Sequence, residues 1–375
     1  MHSKQFLDEQ YSKIIDLIND NSTNFNQIIN IINKYSNFNN FLIKIKDTEI
    51  DSNDILTKLF KKTDINVELF FIVIGEINKL KGNYNITYCD EYKLFMILQL
   101  EDNINKWKAL EKLSCYSPNN KTKKHYETLR SQFQRWCFKN IFKKALENIV
   151  PYEDSIILNK NLNNFQNIDC ENELYIIDIL KDYFIDATSI NNLRGSENII
   201  INPELKKKKI TKITEISDAD GFVIAVCFNQ PLIKKIKYHN KNILINTGKN
   251  DSNCIDDTFN NINKNIVIEN IYLIGDKGYK VKNEFDKFKV ITPNKKNQKQ
   301  KLINRHFTKK MNYRHIVENS INGWKHKERI NLRKDKKIIT FSGWVYLSIL
   351  NHNLKINKIK NKIYLTNNDS ILPII

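Results

Sequence analysis

Residues 210–217 and 222–228 are two runs of β-forming side chains joined by Asp218, Ala219, Asp220 and Gly221. An Asp-Gly pair between such runs marks a hairpin, because the turn needs a positive φ that glycine adopts without steric cost. A hairpin fixed in mid-chain draws its neighbours into the same sheet or onto its faces. Upstream, residues 182–190 alternate around Phe184, Asp186 and Thr188 and read as a strand. Downstream, 243–246 reads as a short strand, 251–263 as a helix with an acidic start, and 271–274 as a buried strand. A further strand at 289–292 is ended by Pro293. Residues 338–354 read as an apolar helix carrying Trp344 and Tyr346. This order predicts an α/β (α+β) fold, a mixed sheet with helices on its faces.

The first 150 residues lack that pattern. Residues 1–60 read as a polar helical leader, with apolar positions such as Phe6, Ile14, Ile28 and Ile31 and no recognisable chemistry. Residues 61–157 read as an all-α unit. Within it, 91–113 is amphipathic around Trp107, 117–124 is a polar turn, and 125–146 suits one or two helices. The apolar positions there are Leu129, Phe133, Trp136, Ile141 and Leu146, while Lys123, Lys124, Arg130 and Arg135 lie off the stripe. A basic helix after a polar turn is what a helix-turn-helix needs to enter a major groove. An ordinary helical hairpin with a solvated face fits the same pattern. Residues 158–172 are Asn-rich without a period and read as a linker, leaving 173–356 as the α/β domain and 357–375 as a basic tail.

Charge narrows the partner. The 375 residues hold 60 Lys and Arg against 42 Asp and Glu, a formal charge of +18. Residues 277–362 carry 24 Lys and Arg and five acids, whereas residues 1–60 carry six lysines and eight acids. A field so concentrated favours a polyanion, nucleic acid above all, with a solvated basic surface as the plainer alternative. Residues 295–310 hold seven cations (Lys295, Lys296, Lys299, Lys301, Arg305, Lys309 and Lys310) and no acid. Six cysteines without a CxxC pair argue against a zinc cluster or a disulfide framework. They point to a reducing compartment: the cytoplasm in a prokaryote, otherwise the nucleus or another site of viral or host DNA. No apolar run is long enough to span a bilayer, and Asp8 and Glu9 interrupt any signal-peptide core. Neither a membrane partner nor secretion is expected.

Residues 313–329 carry the most chemistry. As one helix they would set Arg314, Glu318 and Lys325 within a narrow arc, since steps of four and seven residues return nearly to the same side. Tyr313, Val317, Ile321 and Trp324 would form a separate apolar stripe. On its own, Arg314 with Glu318 is an ordinary i,i+4 ion pair. Two more acids stand out: Asp186, within or at the end of the first strand, and Asp276, just past the end of the buried strand. Singly, an Asp beside a Gly is a turn residue. Three carboxylates converging at one sheet edge in a basic field would hold two divalent ions about 4 Å apart, suited to in-line displacement at phosphate. Hard oxygen ligands select Mg²⁺ or Mn²⁺.

The pieces IDATSI around Asp186, SDADGF at the hairpin, NDSN at 250–253, YLIGDKGY around Asp276, VITPNKKN from Val290 and RHIVENSINGWK from Arg314 to Lys325 carry a likeness. They resemble the DDE transposases of prokaryotic insertion sequences and their Harbinger-like relatives. The last piece has that family's Arg, three residues, Glu, six residues, Lys spacing. The resemblance spans about 182–353, with a weaker match, HYETLRSQFQRW, in the helical region. It implies a ribonuclease H-like catalytic domain in which Asp186, Asp276 and Glu318 bind two Mg²⁺ or Mn²⁺ ions and Arg314 and Lys325 hold DNA phosphate. Some members carry a Tyr three residues before the Arg; that position here is Met311, and Tyr313 is out of register. The partners implied are double-stranded DNA, as transposon ends and target, and a second copy of the chain. The implied activity is strand cleavage at transposon ends and transfer of the 3′-hydroxyl to target DNA. Two alternatives remain: a captured, non-cutting DNA-binding protein, and a nuclease of the same fold without strand transfer.

Overall fold

The computed structural model describes residues 65–80, 90–102, 107, 125–151, 182–202, 208–238, 241–248, 251–263, 266, 271–279, 288–293 and 313–369, together with Lys13, Asp16 and Asp20. The leader, the Asn-rich segment, Lys123, Lys124 and the basic stretch 295–310 otherwise lie outside the described residues. The chain divides into two units, Met1–Ala145 and Leu146–Ile375.

The first unit is helical where described. Helix α1, Val67–Asn78, begins at Asn66, whose side chain accepts from the backbone N–H groups of Glu68 at 2.9 Å and Leu69 at 3.3 Å. That cap satisfies two of the helix's orphan donors, and Glu68 in the first turn complements the dipole. Helix α2, Asp90–Asp102, buries the continuous run from Leu94 through Phe95, Met96 and Ile97 to Leu98. It packs on α1 through an edge-to-face contact of Phe95 with Phe70, 6.4 Å between ring centres. Residues 125–146 are two helices, α3 (His125–Phe138) and α4 (Ile141–Glu147). The break falls at Asn140, with φ at 56°, a left-handed conformation that asparagine tolerates. Phe133 on α3 meets Phe142 on α4 at 5.0 Å.

The second unit is built on a seven-stranded mixed sheet. Strand β1, Asp182–Asn192, runs antiparallel to β3, Lys208–Asp218, which also pairs antiparallel with β2, Ile200–Asn202, and β4, Val223–Phe228. The expected hairpin is present, with Gly221 at φ 84° and Asp218 Oδ1 accepting from the N–H groups of Asp220 and Phe222. A hairpin of β5, Pro231–Tyr238, and β6, Lys241–Gly248, forms a separate two-stranded sheet. The sequence pointed only to the second of these strands. A 3-10 turn, Asp251–Cys254, leads into helix α5, Ile255–Phe259. On the other side of β1, strand β7, Ile271–Ile274, lies parallel to it, and β8, Phe288–Ile291, lies parallel to β7. Strand β9, Leu332–Arg333, pairs with the far end of β1.

Side chains alternate across the sheet, so its two faces bury different sets. Tyr183, Ile185, Ile216, Leu273, Ile255 and Tyr279 share one core cluster. Toward the opposite face lie Phe184, Asp186 and Thr188, covered by helix α6, His315–Lys325. Short helix α7, Glu328–Asn331, precedes β9, and helix α8, Ile338–Asp369, closes the unit. Asn353 on α8 bridges both the N–H and the C=O of Val223, at 2.9 and 2.8 Å, fixing α8 to β4. Residues 357–369 therefore belong to a helix where the sequence read a basic tail. The Arg333 guanidinium is fully buried and spends its donors on the carbonyls of Glu197, Asp335 and Lys336 and the hydroxyl of Thr211. It ties the loop after β1 to β9.

Candidate active site

The parallel pairing of β1 with β7 leads toward both Asp186 and Asp276. The last β1–β7 pair is Phe184 with Ile274, and each aspartate stands two residues beyond it. Asp186 continues β1, while Asp276 leaves β7 into a turn, and the two carboxylates lie within one another's electrostatic field. Asp276 opens a tight turn in which its Oδ1 accepts from the Gly278 N–H at 2.7 Å and its carbonyl accepts from the Tyr279 N–H at 3.1 Å. Asp186 is held by the Ala187 N–H at 2.8 Å.

Helix α6 supplies the third acid. Val317, Ile321 and Trp324 are buried, and this stripe seats the helix as expected. Tyr313 does not belong to it: the helix starts at His315, and Tyr313 lies in the preceding turn, 56% exposed. Arg314 caps the helix in space without a side-chain cap bond and pairs instead with Glu318. The helix ends at Lys325 rather than continuing to Arg329, which stacks over Trp344 at 4.7 Å.

Electrostatics join the three acids. Burial pushes the Asp186 carboxyl above its ordinary range; the Ala187 N–H and Arg314 pull it down, while Asp276 and Glu318 push it further up. Arg314 is held more firmly protonated, first by its bond to Glu318 and then by the charges of Asp186, Glu318 and Asp276. Each of these groups therefore lies within the field of the others. Lys325 donates to Thr188 Oγ1 at 2.6 Å, and burial lowers its pKa. It thus stands over β1, two residues along from Asp186, rather than out in solvent.

The donor chemistry, three carboxylates and no sulfur or imidazole, fits a hard divalent cation. Mutual repulsion of acids at a half-buried site is relieved by such an ion. Among the described residues, however, no three His, Cys, Asp or Glu side chains are gathered closely enough to ligate one ion. The acids feel one another's charge at a range longer than a metal–oxygen bond, and Glu318 is engaged by Arg314.

Of the expected phosphate contacts, Arg314 lies in the field of the three acids, while Lys325 is bonded to Thr188 on β1. Arg130 and Arg135 are exposed on α3 in the other unit. Lys295, Lys296, Lys299, Lys301, Arg305, Lys309 and Lys310 lie outside the described residues. None of Cys137, Cys227 and Cys254 forms a disulfide. No helix among the described residues is long and apolar enough to cross a membrane.

Two acids of the centre escaped the sequence reading. Glu215 on β3 pairs directly with Asp186 and is wholly buried. Burial raises its pKa to about 8, against hydrogen bonds from Ser320 and Trp324 that favour the charged form. A lone acid within the β-run KITEIS was a usable signal only once the register was known. Asp251, in the motif NDSN, pairs with Lys212. Its Oδ2 and the Oδ1 of Asp276 both close on Gly278, 2.7 and 2.9 Å from where a Cβ there would sit. A Cβ at position 278 would displace one or both of these carboxylates.

Comparison with protein-family models, with curated proteins and with solved structures gave no match for this chain.

Proposed function

We propose that the chain is a DNA transposase of the DDE type, with a ribonuclease H-like catalytic unit. The single observation that carries the reading is that Asp186, Asp276 and Glu318 lie in one electrostatic field, where the parallel β1–β7 pairing ends two residues before each aspartate and α6 brings in the glutamate. The strand order supports it: β1, β3 and β4 form an antiparallel meander, with β7 and β8 added parallel on the other side of β1. The basic balance of residues 277–362 supplies the attraction for DNA.

Asp186, Asp276 and Glu318 would hold two Mg²⁺ or Mn²⁺ ions, which would activate a water or 3′-hydroxyl and stabilise the leaving oxygen. The chain's own residues set the stage. Arg314, which pairs with Glu318, would turn its guanidinium to a phosphate when DNA binds and so release the carboxylate. Lys325, held at Thr188, presents a fixed ammonium to the same backbone. These contacts give affinity and register, not base preference. Base preference belongs to α3, where Arg130 and Arg135 are exposed. Pairing two element ends calls for a homodimer in the working complex.

The test is nicking of a supercoiled plasmid carrying the DNA that flanks the gene, in Mg²⁺ or Mn²⁺. The wild-type chain is expected to nick it, and Asp276→Asn to lose at least about a hundredfold in rate while still binding the plasmid. A wild type that binds but never nicks favours the captured DNA-binding protein, the reading for which the closed Arg314–Glu318 pair speaks. Nicking that survives Asp276→Asn ends the assignment. Pre-cut ends separate transposase from nuclease, because a pure nuclease yields no joined product.

A further inference from the structure

Asp186 and Glu318 stand on different elements, so something must hold a strand and a helix in fixed relation. We propose that Glu215 is the positioning residue that does this: its buried carboxyl ties the strand pair bearing Asp186 to the helix bearing Glu318 and Lys325. This rests on the functional reading above.

Glu215 is the direct cross-strand partner of Asp186, so the two side chains leave the sheet on the same face. Its Oε2 accepts the indole N–H of Trp324 on α6. Trp324 stands beside Lys325 in sequence and is itself fully buried. The neighbouring Lys325 reaches Thr188 on β1, so two successive residues of α6 grip two adjacent strands. The Ser348 hydroxyl donates to the Trp324 carbonyl at 2.7 Å and secures the same turn of α6 from α8.

A carboxyl is a costly filler for such a place. Apolar side chains of like volume pack a core at less expense than a buried acid, so packing alone does not account for it. What a carboxyl adds is direction: a hydrogen bond fixes the sliding and rotation of α6 over the sheet, which dispersion contacts leave soft. Its Oε1 accepts no hydrogen bond among the described residues. The clamp thus acts through Oε2, which meets the indole of Trp324, with Ser320 one turn earlier on α6 as a second donor to the carboxyl, and an amide oxygen can replace it.

The test uses the full-length chain with Glu215→Gln, Glu215→Leu, Trp324→Phe combined with Ser320→Ala, and Asp276→Asn. Mn²⁺ affinity is read by electron paramagnetic resonance in the presence of a duplex DNA end, and the Trp324 indole N–H by its hydrogen exchange in NMR. Wild type is expected to bind Mn²⁺ and Asp276→Asn to lose it. Glu215→Gln should keep affinity within about threefold and keep the indole protected, since the acceptor remains. Glu215→Leu and the Trp324→Phe, Ser320→Ala pair should lose about tenfold or more while remaining folded by circular dichroism. If the leucine variant fails to fold, Trp324→Phe combined with Ser320→Ala decides, because the pair removes both donors to Glu215 and leaves an aromatic side chain in the core. Folded Leu or paired variants that bind Mn²⁺ as wild type does overturn the clamp, as does a Gln variant as weak as the Leu variant. A wild type with no Mn²⁺ binding that Asp276→Asn removes sinks the functional reading itself, and the clamp with it.

Discussion

Glu215 makes the stability of the second unit depend on pH in a direction opposite to that of an acid held ionised by a cationic partner. Its ordinary pKa is 4.5 and its folded value about 8. Between those values the folded chain keeps a proton that the unfolded chain has released. Stability therefore falls as pH rises from about 4.5 to about 8, and the loss levels off above that. Asp218, raised by burial to about 6, adds the same sign over a lower window. Glu215→Gln removes the Glu215 contribution, which has a limiting slope of about 1.4 kcal/mol per pH unit. The variant is expected to melt close to wild type at pH 5 and higher than wild type above pH 8. Parallel melting curves across that range would contradict the assignment. Gly278 is the other decisive residue. A Cβ there meets the ends of two acidic side chains, which yield by turning away. Gly278→Ala should thus cost little stability but displace the Asp276 carboxylate, lowering nicking by about tenfold or more. The sequence displayed Asp276 and Glu318 because a strand end and a basic helix mark such positions locally, and Asp186 because a lone acid interrupts an alternating strand, although it lies inside β1 and not at its end. It hid Glu215 and the Lys212–Asp251 pair, because partners distant in the chain are defined by register and not by composition.

At the scale of elements, helix α6 was visible in outline and wrong at both ends. Periodicity gave the buried Val317, Ile321 and Trp324. It could not reveal that Tyr313 falls in a turn, nor that the chain leaves the helix after Lys325, because neither position carries a proline or a strong cap. Strand β5 was missed because its lysines break the apolar alternation, and its pairing with β6 supplies what its own residues do not advertise. Helix α8 ran past the expected end for the opposite reason: no glycine or proline interrupts 345–369, so a basic composition continued as helix. Because α6 is seated through Trp324, Trp324→Ala should cost about 3–5 kcal/mol, measured by denaturant unfolding of the full chain. A loss below about 1 kcal/mol would mean that the indole is not the anchor.

Across the whole molecule, charge and chemistry are divided between two units. The carboxylates, Arg314 and Lys325 belong to the second, and the exposed Arg130 and Arg135 to the first. Affinity for duplex DNA should fall steeply with salt, and Arg130→Ala with Arg135→Ala should flatten the log–log slope by about one per phosphate contact removed. An unchanged slope would place the contacts elsewhere. The mixed sheet and its flanking helices were legible from strand periodicity and the Asp-Gly turn, since local propensity and tertiary pairing agree there. The central claim is that Asp186, Asp276 and Glu318 constitute one cation centre. Anomalous scattering from crystals grown with Mn²⁺ and a DNA end tests it most directly. The account predicts two peaks about 4 Å apart, bounded by these three carboxylates. Clear density for all three side chains with no anomalous peak among them would contradict it.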